Sequence, residues 1–112
     1  MELVITIPWL FKYFFRSNIS AFAFYPFIVL KSSHSKNDSR LIQHERIHLK
    51  QQLELFIVPF YILYFLEFVI HYIRKFDAEK AYRSISFEKE AFDNDRNPDY
   101  ILHRKILGMW RS

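Results

Sequence analysis

The sequence predicts a mainly α-helical protein with a short β-hairpin or edge strand near its N-terminus. Three stretches support this fold class. Residues 36–55 contain no Pro or Gly and begin with helix-capping side chains. Residues 53–73 form a long apolar run. Residues 19–31 show an alternating pattern and are rich in β-branched and aromatic side chains. With 112 residues, the chain is expected to form one domain over residues 1–112.

The composition narrows the class of function. Hydrophobic residues make up 51% and aromatic residues 20% of the chain, which is high for a soluble domain of this size. The net charge of +4 comes from 16 basic and 12 acidic side chains that are interspersed, and no nucleic-acid-binding motif is found. A mildly basic chain with much apolar surface favours an anionic membrane as a partner and argues against nucleic acid.

The N-terminal third favours strands. Residues 1–16 place an acidic residue before an apolar run and basic residues after it, the reverse of a secretory signal peptide. We therefore expect a short strand or an interfacial segment there, with ordinary core as the alternative. Residues 19–31 predict two short strands, and Pro26 indicates that the second, Phe27–Leu30, lies at a sheet edge. The polar stretch 31–39 is expected to be a loop.

The most informative stretch is Leu41–Leu49, which contains His-Glu-x-x-His. On a helix, His44 and His48 lie on one face, one turn apart, so their ring nitrogens can reach one metal ion. Glu45 is adjacent and can lean over the open side of that metal. Two imidazoles, a carboxylate base and an open position are what zinc-assisted hydrolysis requires. The alternative is a polar helix face whose two histidines bind nothing.

A catalytic zinc usually has three protein ligands, so a third must come from elsewhere. Glu54 follows too closely on the same helix to turn back onto the metal. Glu67 lies inside the apolar run. Glu88 and Glu90 lie on a second helical pattern over residues 77–95, and the residues alone leave both open as the ligand.

At this point the chain resembles the gluzincin zinc metallopeptidases, of which thermolysin is the best-known member. These proteins carry His-Glu-x-x-His followed by a glutamate-bearing helix, and a small residue commonly stands three residues after the ligand glutamate. Ala91 fits that position for Glu88. Several gluzincins also have Asp or Asn four residues after the ligand, where Glu88 has Phe92 but Glu90 has Asn94. The resemblance implies Glu88 as the third zinc ligand, with Glu90 as the alternative.

Residues 44–94 also resemble small bacterial HExxH proteins of the Bacteroidetes type, which share a His-Glu-Arg-Ile-His-Leu-x-Gln-Gln core. The gluzincin layout implies that an edge strand before the motif helix binds the substrate backbone, and Phe27–Leu30 would take that role. It also implies a Tyr, His or Arg that stabilises the oxyanion, with the candidates Tyr82, Arg83, Tyr100 and His71. Gln51 is expected at the surface, and orientation of a ligand is its alternative role.

The apolar run Leu53–Ile73 contains 21 residues, of which only Glu54, Glu67 and His71 are ionisable. Its length matches a bilayer span of about 20 residues, and its all-round apolarity does not suit an amphipathic surface helix. We therefore expect a membrane-embedded helix at about 53–73, with a buried helix of a soluble protein as the alternative. Glu67 and His71 are four residues apart, a spacing at which they could pair with each other on a helix.

A three-ligand site places a condition on this helix. A straight helix from His48 to Ile73 would carry the chain about 37 Å away, too far for Glu88 to return. A sharp break near Pro59 is therefore predicted.

The C-terminal third is predicted to be helical. Residues 77–95 show a charged amphipathic pattern that is expected to be interrupted near Ser84–Ser86 and to end before Asn97-Pro98. Residues 99–110 are expected to form a short C-terminal helix.

Together, motif and resemblance predict a zinc-dependent metallopeptidase, a hydrolase acting on a peptide or protein substrate. His44, His48 and Glu88 would bind Zn²⁺, and Glu45 would act as general base on a zinc-bound water. The alternative is a small membrane-associated metal-binding or interaction protein without catalysis, and a soluble binding module is a weaker third option. The expected location is membrane-associated in a bacterium, otherwise cytoplasmic. The sequence does not define an oligomeric state.

Overall fold

The structure, a computed structural model, describes residues 2–13 and 20–110, with the backbone alone at residues 12 and 13. Over these residues the chain is mainly helical with a small N-terminal sheet, which confirms the predicted fold class. The predictions for residue 1, for residues 14–16 and for residue 19 lie outside the described residues. The N-terminal elements are β1 (Leu3–Thr6), α1 (Pro8–Tyr13), β2 (Ala21–Phe24) and β3 (Phe27–Leu30).

The three described strands form one sheet in the order β1-β3-β2, in which β3 is parallel to β1 and antiparallel to β2. The predicted hairpin is therefore confirmed, but the prediction that Phe27–Leu30 is an edge strand was wrong. Pro26 lies in the turn between β2 and β3, where it removes no hydrogen bond from the sheet. Leu3 to Thr6 pair with the other side of β3, so the edges belong to β1 and β2.

The motif helix is α2 (Ser39–Leu55). The Asp38 side chain caps it by accepting a hydrogen bond from the Leu41 amide at 3.1 Å. One side of α2 packs on the sheet, where Ile42 and Leu49 join a buried cluster with residues of β2 and β3. The helix thus holds the motif against the sheet.

The predicted break near Pro59 is confirmed. α2 ends at Leu55, Phe56 adopts a positive φ of 63°, and α3 begins directly after it as Ile57–Lys75. In a continuous helix the Pro59 ring would clash with the Leu55 carbonyl, and no N–H would be available to bond it. As the third residue of α3, Pro59 lies in the first turn, where a backbone N–H has no helical partner in any case.

The glutamate-bearing segment consists of two short helices, α4 (Ala78–Ser84) and α5 (Ser86–Asn94). The predicted interruption near Ser84–Ser86 is confirmed, since the buried Ile85 separates them. Phe76, in the left-handed conformation, ends α3, and the Asp77 side chain then caps α4.

The Glu67 carboxylate contacts Ser86 and not His71, the partner that the four-residue spacing offered. It accepts hydrogen bonds from the Ser86 amide and the Ser86 hydroxyl, both at 2.7 Å. The carboxylate therefore lies at the N-terminus of α5, where the helix dipole favours an anion. This contact joins α3 to α5, beside a buried cluster of Phe60, Phe87 and neighbouring apolar side chains.

The predicted C-terminal helix is shorter than residues 99–110. It consists of α6 (Tyr100–His103), and a separate 3₁₀ turn follows at Gly108–Trp110. The Leu107 amide donates to Glu54 Oε1 at 3.1 Å instead of to a helical carbonyl, and Leu107 itself has a positive φ of 56°. Polar contacts with α2 thus determine the path of this segment.

Candidate metal centre

Helices α2 and α5 bring His44, His48 and Glu88 together. Glu88 Oε1 lies 2.9 Å from His44 Nε2 and 3.1 Å from His48 Nε2. One ligand atom from each of the three lies within 4.8 Å of the others, and all three residues are buried. Within the described residues this is the group of side chains that could hold a metal ion.

The His44 ring is held by Asp95, just beyond the end of α5. His44 Nδ1 lies 3.0 Å from Asp95 Oδ2, and Asp95 Oδ1 accepts a hydrogen bond from Arg40 Nε at 2.9 Å. An ionised carboxylate can only accept, so Nδ1 carries the hydrogen and Nε2 presents its lone pair to the centre. Phe92, four residues after Glu88, packs its ring against the His44 ring, with the two ring centroids 4.5 Å apart. The carboxylate that contacts His44 therefore belongs to Asp95, seven residues after Glu88, and not to the position four residues after it.

The His48 ring is held by Gln51. His48 Nδ1 lies 2.8 Å from Gln51 Oε1. The prediction that Gln51 lies at the surface was wrong, because its side chain is fully buried between α2 and α5. These contacts fit the alternative role for Gln51, which is to orient a ligand.

Tyr64 on α3 contacts the third member of the cluster. Its hydroxyl donates to Glu88 Oε2 at 2.5 Å, which leaves Oε1 directed at the two imidazoles. Sequence reasoning missed Tyr64. The sequence does contain a signal for it, because Phe60, Tyr64 and Glu67 follow helical spacing and lie on one face of the apolar helix.

The electrostatics of His44, His48 and Glu88 favour a cation between them. Burial acts to raise the pKa of Glu88, but the neighbouring His48 and His44 hold that pKa well below its usual range. Burial acts to lower the pKa of His48, but the Glu88 carboxylate raises it to about 9. Each imidazole uses Nδ1 for a hydrogen bond to another side chain, so both Nε2 atoms face the same carboxylate oxygen. Lone pairs then face each other unless a proton or a metal ion lies between them. The donor set therefore fits a divalent metal such as zinc.

Glu45 faces the same cavity as the cluster but is not part of it. Its side chain is buried, and burial raises its pKa against the opposing effect of His48 and His44. Within the part of the chain that the structure describes, its carboxylate accepts no hydrogen bond from the protein. Glu45 thus offers a desolvated base beside the cluster.

The cavity has a volume of about 760 Å³ and lies between the edge strand β2 and α4. Of the four oxyanion candidates, Tyr82 and Arg83 line it. Burial and the nearby Glu88 raise the pKa of Tyr82, so its hydroxyl remains a donor. Arg83 lies at the exposed rim and pairs with Glu79 at 3.1 Å.

The other two candidates lie away from this cavity. The Tyr100 hydroxyl donates to Glu90, and His71 lies farther along α3, away from the cavity lining. The Glu90 carboxylate also binds Arg104 Nε at 2.6 Å and Gln51 Nε2 at 2.9 Å. Its partners are therefore a cation and hydrogen-bond donors, whereas Glu88 faces the histidines.

Strand β2 is tied to the motif helix by Gln52, the residue after Gln51. Gln52 Nε2 donates to the Ala23 carbonyl at 2.9 Å, and Gln52 Oε1 accepts from the Tyr25 amide at 2.7 Å. The Tyr61 hydroxyl donates to the same Ala23 carbonyl. These contacts hold the edge strand beside His44, His48 and Glu88.

Comparison of the chain with protein-family models, with curated proteins and with solved structures finds no match. Function is therefore inferred from the residues of the site.

The pH dependence of zinc binding should reveal the charge state of the metal-free cluster. His48, with a pKa of about 9, must lose its proton before Nε2 can take a metal ion. The protonated fraction falls as pH rises, so we expect the apparent zinc affinity to increase about tenfold per pH unit from about pH 7 to 9. Competition with a chelating dye measures this slope. A histidine with an ordinary pKa near 6.5 would give a flat profile over this range, which would contradict the prediction.

Proposed function

We propose that the protein is a zinc-dependent peptidase with a gluzincin-like centre. The observation that carries this proposal is one cavity that holds His44, His48 and Glu88 together with the buried Glu45 carboxylate, which has no hydrogen bond from the described residues. Structural zinc sites usually have four protein ligands and need no base beside them. Three ligands and a nearby base favour hydrolysis over a structural metal.

His44, His48 and Glu88 would hold the zinc ion, which when bound supplies a Lewis acid for the scissile carbonyl and acidifies water. Glu45 takes the proton from the attacking water and passes it to the leaving amine. Burial, which raises the pKa of Glu45, makes its carboxylate a stronger base. Tyr82 lines the cavity as a protonated donor and is our candidate for stabilising the oxyanion, ahead of the exposed Arg83.

The substrate class that fits this cavity is an extended peptide or protein segment. Residues 21–23 of the edge strand β2 line the same cavity as His44, His48 and Glu88. Gln52 and Tyr61 already bind the Ala23 carbonyl, so a peptide added to this edge as a further strand would pair beside Ala21, in the cavity that Glu45 also lines. The role that the sequence predicted for Phe27–Leu30 therefore moves to β2.

Cleavage of a peptide library by the zinc-loaded protein tests this function. Products are expected with zinc, should disappear with a chelator, and should return when zinc is restored. Mass spectrometry of the products identifies the cleaved bonds. Zinc-loaded protein that cleaves no member of the library would favour the alternative of a metal-binding protein without catalysis.

We also propose that the protein binds a lipid bilayer through α3. This helix is long and apolar enough to cross a membrane by length and composition, and Phe60 is its one buried residue among those described. Its other side chains include Val58, Ile62, Phe65, Leu66, Ile70 and Ile73, each about half exposed or more. An apolar face of this size favours contact with lipid, and the exposed Arg74 and Lys75 at its end suit anionic headgroups.

Flotation with liposomes that contain anionic lipid tests the membrane proposal. The wild-type protein should float with the liposomes, and the double variant Ile62→Lys, Phe65→Lys should remain at the bottom of the gradient. Each substitution removes the favourable free energy of moving a large apolar side chain from water into lipid, about 1.5–3 kcal/mol. It also adds a charge that lipid disfavours. The matched control is Leu102→Lys, a change at an apolar side chain on α6 that is 78% exposed, and it should float normally. Equal flotation of the double variant and the wild type would contradict binding through α3.

A further inference from the structure

We propose that Gln51 and Glu90 are positioning residues that determine which nitrogen of His48 faces the metal. The inference rests on the proposed metal site but not on catalysis. A continuous chain of buried contacts leads from Arg104 through Glu90 and Gln51 to His48. Glu90, two residues from the candidate ligand Glu88, would thus act on the metal through two other side chains.

The orientation of the Gln51 amide follows from its partners. One end lies 2.9 Å from Glu90 Oε1 and 3.0 Å from the Phe87 carbonyl oxygen. An ionised carboxylate and a carbonyl can only accept, so the NH₂ group must occupy this end. Turning the amide round would bring its oxygen against two acceptors and leave buried groups without hydrogen bonds.

The amide orientation in turn determines the tautomer of His48. Gln51 Oε1 lies 2.8 Å from His48 Nδ1 and can only accept, so the hydrogen must be on Nδ1. His48 Nε2 then points at Glu88 with its lone pair available for a metal ion. Asp95 has the same effect on His44 by direct contact, so the two histidines are oriented by different groups.

Glu90 is itself firmly held as an ionised acceptor. Arg104 binds it through Nε at 2.6 Å and Nη2 at 3.1 Å, and both side chains are 4% exposed or less. The other side of Arg104 binds Glu54 at 2.7 Å. Gly108 closes the space around the carboxylate, since a Cβ there would lie 2.5 Å from Glu90 Oε2. The C-terminal segment thereby keeps Glu90 directed at Gln51.

The test compares two adjacent buried amides. Gln51→Leu removes the acceptor for His48 Nδ1, whereas Gln52→Leu removes equally buried hydrogen bonds that lead to β2. Zinc affinity, measured by competition with a chelating dye, should fall about 10- to 100-fold in Gln51→Leu and stay unchanged in Gln52→Leu. The visible absorption spectrum of the Co²⁺-loaded protein should change only in Gln51→Leu. An unchanged affinity in Gln51→Leu, or equal losses in both variants, would overturn the proposal.

An exchange of the two side chains keeps the test decisive if Gln51→Leu does not fold. Gln51→Glu alone sets two carboxylates against each other and should weaken zinc binding. Adding Glu90→Gln returns a donor at position 90 and an acceptor at position 51, while one oxygen of the new carboxylate still faces the Phe87 carbonyl, so affinity and the Co²⁺ spectrum should recover in part. A folded double variant that binds zinc no more tightly than Gln51→Glu would contradict the relay. Failure of the metal site itself would already be seen as absent zinc binding in the wild type, and no peptide cleavage is needed.

Discussion

Replacing His44 by alanine is expected to abolish stoichiometric zinc binding. The wild-type protein should retain about one zinc per chain after dialysis, as measured by mass spectrometry of its metal content. His44→Ala leaves His48 and Glu88 as two ligands and removes the partner of the buried Asp95. Loss of groups that only orient a ligand costs about 10- to 100-fold in affinity, so loss of a ligand should cost at least about 100-fold.

Two other histidines provide controls for His44→Ala. His34 and His103 are exposed and lie outside the cavity, so their alanine variants should keep the wild-type zinc content. Circular dichroism should show that all three variants remain folded. Undiminished zinc in His44→Ala would contradict the assignment of the centre.

The features that could be predicted from the sequence depend on near neighbours in the chain. Asp38 caps α2 through an amide three residues away. Pro59 ends the helix before it because of a clash with a carbonyl four residues back. The His44/His48 spacing places both rings on one face of α2 by helix geometry alone. Each of these effects acts within about one helical turn.

The rest of the site depends on contacts between distant segments. Asp95 is 51 residues from His44, and Tyr64 is 24 residues from Glu88. Hydrophobic periodicity also misleads on α2, because much of its buried surface is polar, including Gln43, His44, Glu45, His48, Gln51 and Gln52. A glutamine on such a helix resembles a surface residue until α5 is known to cover it. The same holds for β3, whose central position results from its pairing with β1.

Replacing Glu45 by glutamine is expected to preserve zinc binding and remove hydrolysis. The amide is nearly isosteric with the carboxylate, and His44, His48 and Glu88 remain in place as the three side chains that could hold the ion. It cannot accept the proton of the attacking water, and loss of a general base typically lowers the rate by about 10²–10⁴-fold. The measurement is the rate of cleavage of the best library peptide, made together with zinc content. The exposed Asp93 on α5 offers a control, since Asp93→Asn makes the same chemical change outside the cavity and should leave both quantities unchanged.

The combination of retained zinc and lost cleavage distinguishes the base from a ligand. If Glu45 bound the metal, the glutamine variant would lose zinc as His44→Ala does. If the carboxylate had no part in the reaction, Glu45→Gln would cleave at the wild-type rate, and that result would refute its role as general base. The retained fraction of activity should not rise with added zinc, because the defect lies in proton transfer and not in metal occupancy.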